Sequence, residues 1–518
     1  MLMLHAVPVG ICLLLWYVVY GTKRKECIPT IRRWPRLLPQ FLDRLSYNDH
    51  AARLVKHGYE KHKNQPFRLL KMDMDLIVIP LQYALELRAV TSDKLDPLTA
   101  SFDDNAGKVT RILLGSELHT RAIQQRLTPK LPQTLPVLLD ELNHAFGQVL
   151  PAGNDGMCFH SFKHSTCLVL SNISGGSNAW ISVNPYELVL NLATRATARL
   201  FVGDLICRNE IFLETTASFS RNTFDTISTS RSFGNLFTHY FARWISTAKE
   251  AHGQLQYIQN LLGSEVQRRK LNSEEKHDDF LQWCTELAVT EDEARPEALA
   301  HRTLGILSMA VIHTTAMALT HILFDMISDD SLKESLRREQ QNVLKHGWTE
   351  ITQQTMLDMK QLDSLMRESQ RINPVGEFTF RRIVRERITL SDGYQLQPGQ
   401  QIAIPAKCIN TDSTKLSDAH LFQPFRWLKQ SGTATTSFSN SSALNLHFGF
   451  GRYACPGRFI ASYMIKAIMS RILLEYDFKL DSEFPSRRPP NIVHGDKILP
   501  NRNAVVLLRR LEKTVTVC

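Results

Sequence analysis

From Met1 to Gly21 the chain is almost unbroken apolar sequence, "MLMLHAVPVGICLLLWYVVYG", and the pattern changes abruptly at Lys23, Arg24 and Lys25. About 20 apolar residues in a helix suffice to cross a bilayer core. The positive charge follows the run instead of preceding it, and no small-residue cleavage site comes after. Residues 1–21 therefore read as a signal anchor that leaves the rest of the chain on the cytosolic side. Pro29, Pro35 and Pro39 then break any helix in a basic stretch, residues 22–40, which reads as a linker suited to lipid headgroups.

Beyond it, residues 41–518 read as one large domain, mainly α with a small β region. "FRLLKMDMDLIVIP" (67–80) has a strand pattern, and from about Leu85 to Arg371 the spacing of apolar positions is mostly helical. A second β-like zone runs from "FTFRRIV" to "QQIAIPA", with turn signals at Asp392-Gly393 and Pro398-Gly399. A cysteine-containing loop and a last amphipathic helix from Arg458 follow. The stretch from Cys158 to Asn178 reads as a polar insertion without periodicity. The run "LGILSMAVIHTTAMALTHILFDM" (304–326) is long enough to span a membrane, but His313, Thr314 and Thr315 at its centre would be costly in lipid. It reads as a helix through the interior of a folded domain.

Composition narrows the classes. With 43% hydrophobic and 22% charged residues the chain is that of a folded protein. The net charge of +10 suits an anionic surface or an acidic partner. No zinc-finger spacing, RNP-type motif or basic-aromatic block accompanies it, so nucleic acid is not an expected partner. The nine cysteines are odd in number and none forms a CxxC pair, which argues against a disulfide scaffold or zinc site.

One cysteine stands apart. In "LHFGFGRYACPGRFIASY" (446–463), Cys455 lies among Gly449, Gly451, Gly457 and Pro456, just ahead of a helix start. Glycines let the loop approach a flat ligand closely, and free N–H groups at the helix start favour a thiolate. Such a thiolate suits an iron ligand or a nucleophile. A nucleophile would need a base, and no cysteine-hydrolase signature is visible. Elsewhere, "ESQR" places Glu368 and Arg371 at i and i+3, on one helix face, where they can pair.

Together these segments resemble the cytochrome P450 family. "FGFGRYACPG" (448–457) looks like its haem-binding loop, which implies haem b with Cys455 as axial thiolate and Phe448, Gly449, Gly451, Arg452 and Tyr453 around it. Glu368, Arg371 and Arg426 of "FQPFRW" match the family's structural charge triad. "AVIHTT" resembles its distal-helix segment, with Thr314 at the position of the threonine that manages protons. His313 stands where the family usually has an acid, and the expectation is that it relays protons near neutral pH. Arg382 matches a propionate-binding arginine. The usual early tryptophan is absent, and "ELHTRAIQQRLTPKL" (117–131) offers His119 and Arg126 in its place.

The resemblance covers nearly the whole chain after the anchor. It implies a monooxygenase of lipophilic small molecules in the endoplasmic reticulum membrane, supplied with electrons by an NADPH-cytochrome P450 reductase. Its overall similarity is to fungal enzymes tailoring terpenoids, among them indole diterpenes and meroterpenoids. Two other readings stay open here: an enzyme of the same fold that rearranges or dehydrates without net oxygenation, and a non-catalytic haem sensor.

Overall fold

The computed structural model describes residues 28–112, 115–150, 169–172, 180–241, 244–272, 274–428, 436–481 and 487–511. The expected anchor and most of the 158–178 stretch lie outside the described residues. In chain order the strands begin β1 (Thr30–Ile31), β2 (Phe67–Leu70), β3 (Asp75–Val78), β4 (Leu95–Asp96), β5 (Val169–Asn172), β6 (Ile181–Val183) and β7 (Thr379–Val384). They continue with β8 (Ile388–Thr389), β9 (Gln395–Leu396), β10 (Gln401–Ile404), β11 (Tyr476–Leu480), β12 (Ile492–His494), β13 (Lys497–Leu499) and β14 (Val506–Arg510).

The first sheet has the order β1-β2-β3-β10-β7-β4. Both sequence-predicted β zones meet in it. Residues 67–80 fold back as antiparallel β2 and β3, with Phe67 opposite Val78, and β10 lies parallel to β3 and antiparallel to β7. The expected turns form with Gly393 and Gly399 at φ of 85° and 83°, a region that glycine enters at little steric cost.

Three expectations are corrected here. The segment taken as a linker supplies β1, which pairs with Arg68 and Leu69 of β2, and Arg32 bonds Asp43 at 2.7 Å. The folded domain thus begins by Thr30, not at residue 41. The 158–178 stretch contains β5, antiparallel to β6. The last helix is also not the end of the fold. A second sheet, ordered β11-β14-β6-β5, joins two C-terminal strands to the middle of the chain. Its five-residue β11 buries only Tyr476 and Phe478 with certainty of alternation, too short a run to announce a sheet.

The helices that place the site are α1 (Tyr47–Lys61), α2 (Leu131–Val149), α3 (Pro185–Val202), α4 (Glu210–Phe241), α5 (Ser246–Leu271), α6 (Pro296–Ile327), α7 (Lys360–Ile372) and α8 (Arg458–Glu475). The apolar run 304–326 lies inside α6, whose most apolar stretch is 78% buried, and Ile306–Ile312 in its middle is wound as a π-helix. Leu304, Leu307, Ile312, Leu319 and Ile322 of α6 pack into one continuous core with α2, α3 and α8. Burying a side chain of this size contributes about 1.5–3 kcal/mol, so packing holds the helix in the interior.

Helix α8 is not amphipathic as expected. Every residue from Met464 to Ser470 is buried. Its polar members tolerate this because they are paired: Lys466 Nζ sits 2.6 Å from Asp363 and 2.8 Å from the Met356 carbonyl, and Ser470 donates to Gln340. The buried ends of the cysteine loop, Leu446 and Phe450, belong to a smaller core with Ile77, Ile402 and Ile404 of the first sheet. The loop is therefore gripped between sheet and helix.

Candidate active site

The loop's shape follows from its glycines. Gly449 and Gly451 both take positive φ, 80° and 75°. Gly451 has a second constraint: a Cβ there would lie 2.4 Å from the Arg88 carbonyl, which the Arg452 N–H already contacts at 2.8 Å. The Cys455 N–H closes the loop onto the Phe448 carbonyl at 2.7 Å. Phe448 packs edge-on against Phe438 and beside the His447 ring. Burial pushes the Cys455 thiol up. The N–H groups of Gly457 and Arg458 and the Arg458 guanidinium pull the other way, as expected at a helix start, but burial outweighs them. A coordinated metal ion is what would deprotonate such a thiol outright.

A cavity of about 360 Å³ adjoins the loop, lined among others by His119, Thr379, Arg382, Gly449, Tyr453 and Pro456. Arg382 is its most informative residue. It is buried, it lies over the Phe380 and Tyr453 rings at 4.4 and 5.2 Å, and it donates to the Arg381 carbonyl. Among the described residues no carboxylate pairs with it, and burial pulls it down to about 10. A buried guanidinium in a cavity wall calls for an anion. With the Cys455 thiol on the adjoining loop, the donor set fits a haem, whose carboxylates Arg382 would hold.

His119 also lines this cavity, its Nδ1 3.4 Å from Arg302, and burial pulls it down to about 4, so it presents a neutral ring. Arg452 is exposed at the cavity rim. Arg126 does not line the cavity. It is half-exposed and pairs with Glu286 at 3.2 Å, contrary to its expected place as a haem contact.

On α6, Ala310 is exposed and Met309, Val311 and Thr314 are half-buried, although Ser308, Ile312 and Thr315 beside them are buried. On this face the interior helix is left partly uncovered. Thr314 lies on it, its Oγ1 donating to the Ala310 carbonyl at 2.6 Å. His313 is fully buried instead. Its Nδ1 is 3.0 Å from the Tyr186 hydroxyl and its Nε2 3.4 Å from Arg502, while the Phe224 ring packs at 4.7 Å. Burial, then Arg502 and Lys497, pull it down to about 3. The expectation was a histidine titrating near neutral pH; burial and two cations hold this ring well below that range.

The charge triad assembles around Glu368. Arg371 reaches it twice, at 2.8 and 2.7 Å, and Arg426 at 3.2 Å. Trp427 Nε1 and the Gln423 N–H complete the carboxylate's shell at 3.2 and 2.9 Å. Arg371 also donates to the carbonyls of Asn410, Ala419 and Leu421, tying α7 to the segment leading toward the cysteine loop. Sequence reasoning did not find Trp427, Tyr186 or Arg502. Trp427 had a signal, its place next to Arg426; Tyr186 and Arg502, remote in sequence from His313, had none.

A cysteine on a glycine-shaped loop, a π-wound interior helix presenting a threonine, and a buried Glu-Arg-Arg set define the haem-thiolate class of fold. The sequence model of the cytochrome P450 family matches residues 172–506, and the chain belongs to that family. It is 96% identical over all 518 residues, the full length of both chains, to cytochrome P450 monooxygenase ltmP of Epichloe festucae var. lolii. It is 61% identical to idtP of Claviceps paspali over 98% of this chain and 99% of that one. To paxP of Penicillium paxilli it is 40% identical, over 93% and 90%. Both are cytochrome P450 monooxygenases, and so is this chain. A retinoic acid-bound cyanobacterial CYP120A1 shares the fold, with TM-score 0.67 over 94% of this chain and 100% of that one at 17% identity.

Proposed function

We propose that this monooxygenase holds haem b on Cys455 and oxidises a lipophilic terpenoid-type molecule, of the indole-diterpene kind, in a fungal secondary-metabolite route. The observation that carries the reading is a buried cation, Arg382, with no carboxylate partner among the described residues, in the wall of the cavity beside the Cys455 loop. When bound, haem supplies reductive activation of dioxygen and insertion of one oxygen atom into a C–H bond.

The chain's own residues do the rest. Cys455 Sγ would hold the haem iron, Arg382 and His119 would hold its carboxylates from the cavity wall, and Phe448 would pack beside the sulfur loop. Thr314 Oγ1, on the open face of α6, gives its hydrogen to the Ala310 carbonyl, so its lone pairs would hold a water that delivers protons at that face. Ala310 and Met309 leave room for an apolar substrate. An NADPH-cytochrome P450 reductase is the proposed electron source. Residues 1–21 are the proposed anchor in the endoplasmic reticulum membrane, supported by their apolar length and by the Lys23–Lys25 cluster.

The test uses the full chain in microsomes. The reduced, carbon monoxide-bound spectrum should show a thiolate-type Soret band, lost in Cys455→Ala. Deleting the gene in the producing fungus should accumulate a precursor that the enzyme, given reductase, NADPH and ¹⁸O₂, converts to a product carrying one labelled oxygen. A thiolate band that persists in Cys455→Ala overturns the ligand, and conversion without dioxygen favours the rearranging alternative.

A further inference from the structure

His313 meets three elements at once. Tyr186 comes from the start of α3, Phe224 from α4, and Arg502 from the turn between β13 and β14. The contact geometry dictates the state of the ring. A guanidinium has five N–H donors and no acceptor, and it does not lose its proton in a protein. Arg502 Nη2 can contact Nε2 only as donor, so Nε2 must keep its lone pair. The ring proton is then on Nδ1, which donates to the Tyr186 oxygen 3.0 Å away.

The surroundings leave no route to an imidazolium. The charged groups acting on the ring are Arg502 and Lys497 of β13, both cations. The nearby acids are engaged elsewhere: Glu187 of α3 pairs with Arg221 of α4 at 3.3 Å, and Asp225 of α4 interacts with Arg502 and Arg221. Arg502 lies over both the Tyr186 and Phe224 rings at 4.8 Å, which fixes its plane beside the histidine.

The position of the ring makes this consequential. His313 is the first residue after the π-wound segment Ile306–Ile312, and the next residue is Thr314. The same segment is tied at its middle, where Ser220 of α4 donates to the Ser308 carbonyl at 3.1 Å. Anchors at Ser308 and His313 bracket Ala310, the carbonyl that receives the Thr314 hydroxyl.

We propose that Arg502 and Tyr186 lock His313 as a neutral Nδ1–H imidazole that acts as a positioning residue, fixing the π-wound turn that presents Thr314. Resting on the monooxygenase reading above, this gives the acid position of the distal helix a mechanical role with no proton transfer through it. Proton delivery at Thr314 is then insensitive to pH across the range where free histidines titrate.

The experiment reads the ring directly. Full-length protein is prepared with ¹⁵N-labelled histidine, and the His313 signals are assigned by difference from His313→Asn. The expected result is the neutral Nδ1–H pattern, unchanged between pH 8 and pH 5. An Nε2–H pattern, or an imidazolium within that range, overturns the proposal without reference to any variant or to turnover. In Arg502→Gln, whose amide can accept as well as donate, an Nε2–H population should appear beside the Nδ1–H one.

Hydrogen peroxide released per NADPH by the reductase-reconstituted enzyme should be flat from pH 6 to 8 in the native protein. His313→Asn, whose amide N–H still reaches Tyr186, should keep the native ratio, and His313→Leu should raise it. Equal ratios in the two variants overturn the positioning role. The neutral pattern in a protein that oxygenates nothing would support the lock and overturn the functional reading instead.

Discussion

Thr314 and His313 are adjacent in sequence and opposite in circumstance. Thr314 is half-exposed, with its hydroxyl hydrogen engaged by Ala310 and its oxygen lone pairs free to accept from water. His313 is buried against Tyr186 and Arg502. On the proposed reading, proton management at this face falls to the threonine. Positioned proton transfer is worth roughly 10²–10⁴-fold in rate. Thr314→Ala is therefore expected to keep a normal haem spectrum while product formed per NADPH falls and hydrogen peroxide rises. Unchanged coupling would leave α6 as only a wall of the pocket.

At the scale of elements, α7 matters through what it holds in place. Glu368 carries one negative charge against Arg371 and Arg426, with Trp427 and Gln423 filling its remaining acceptor positions. Removing the carboxylate strands two guanidinium groups where water does not reach. Glu368→Ala is expected to cost about 3–5 kcal/mol, in the range for breaking a buried pair. The denaturation midpoint and the yield of haem-loaded protein should both fall. A variant with full haem content and native stability but no turnover would show that the triad acts in chemistry instead.

The i to i+3 spacing made Glu368 and Arg371 legible from sequence, since both ends of that contact lie on one helix. The carbonyls of Asn410, Ala419 and Leu421 that complete Arg371 were not, because they lie some 40 to 50 residues on. Helix α8 misled in the other direction. Its Lys466 and Ser470 look solvent-facing until Asp363 and Gln340 are brought to them.

For the whole molecule, the buried histidines set the response to acid. Burial comes first among the causes that pull His119 down to about 4 and His313, His321 and His447 to about 3. In the unfolded chain each returns to about 6.5. Below that pH the unfolded state binds more protons than the folded one, so stability present above pH about 6.5 is lost as pH falls toward 4 and 3. Glu377 has the opposite sign. Burial pushes it up to about 7, so its contribution is full below its unfolded value and lost as pH rises through 7. Burial raises Asp103, Asp225, Asp325 and Glu339 in the same sense, but carboxyls held low by cations, among them Asp104, Asp412 and Asp496, act with the rings, and acid is the destabilising direction. Urea or guanidinium midpoints are expected to drop from pH 7 to pH 5, and a midpoint that holds or rises would show that the rings are accessible in the folded state.

What the sequence determined by itself was local. The anchor-like run of 1–21, the two β zones, the interior helix and the cysteine loop depend on neighbours within a few turns of chain. Gly449 and Gly451 adopt left-handed φ in closing the loop onto the Phe448 carbonyl, and the need for glycine there is written in the residues themselves. Tertiary structure alone decided everything that depends on distant chain. It placed Tyr186 and Arg502 against His313 across separations of 127 and 189 residues, and so turned an expected proton relay into a neutral ring. It set Arg126 outward against Glu286 and left Arg382 as the buried cation of the cavity. It also drew β14 back to β6, closing a sheet from short strands with weak patterns. A side chain's charge state depends on its burial and its partners, and neither is fixed until the fold brings remote segments together.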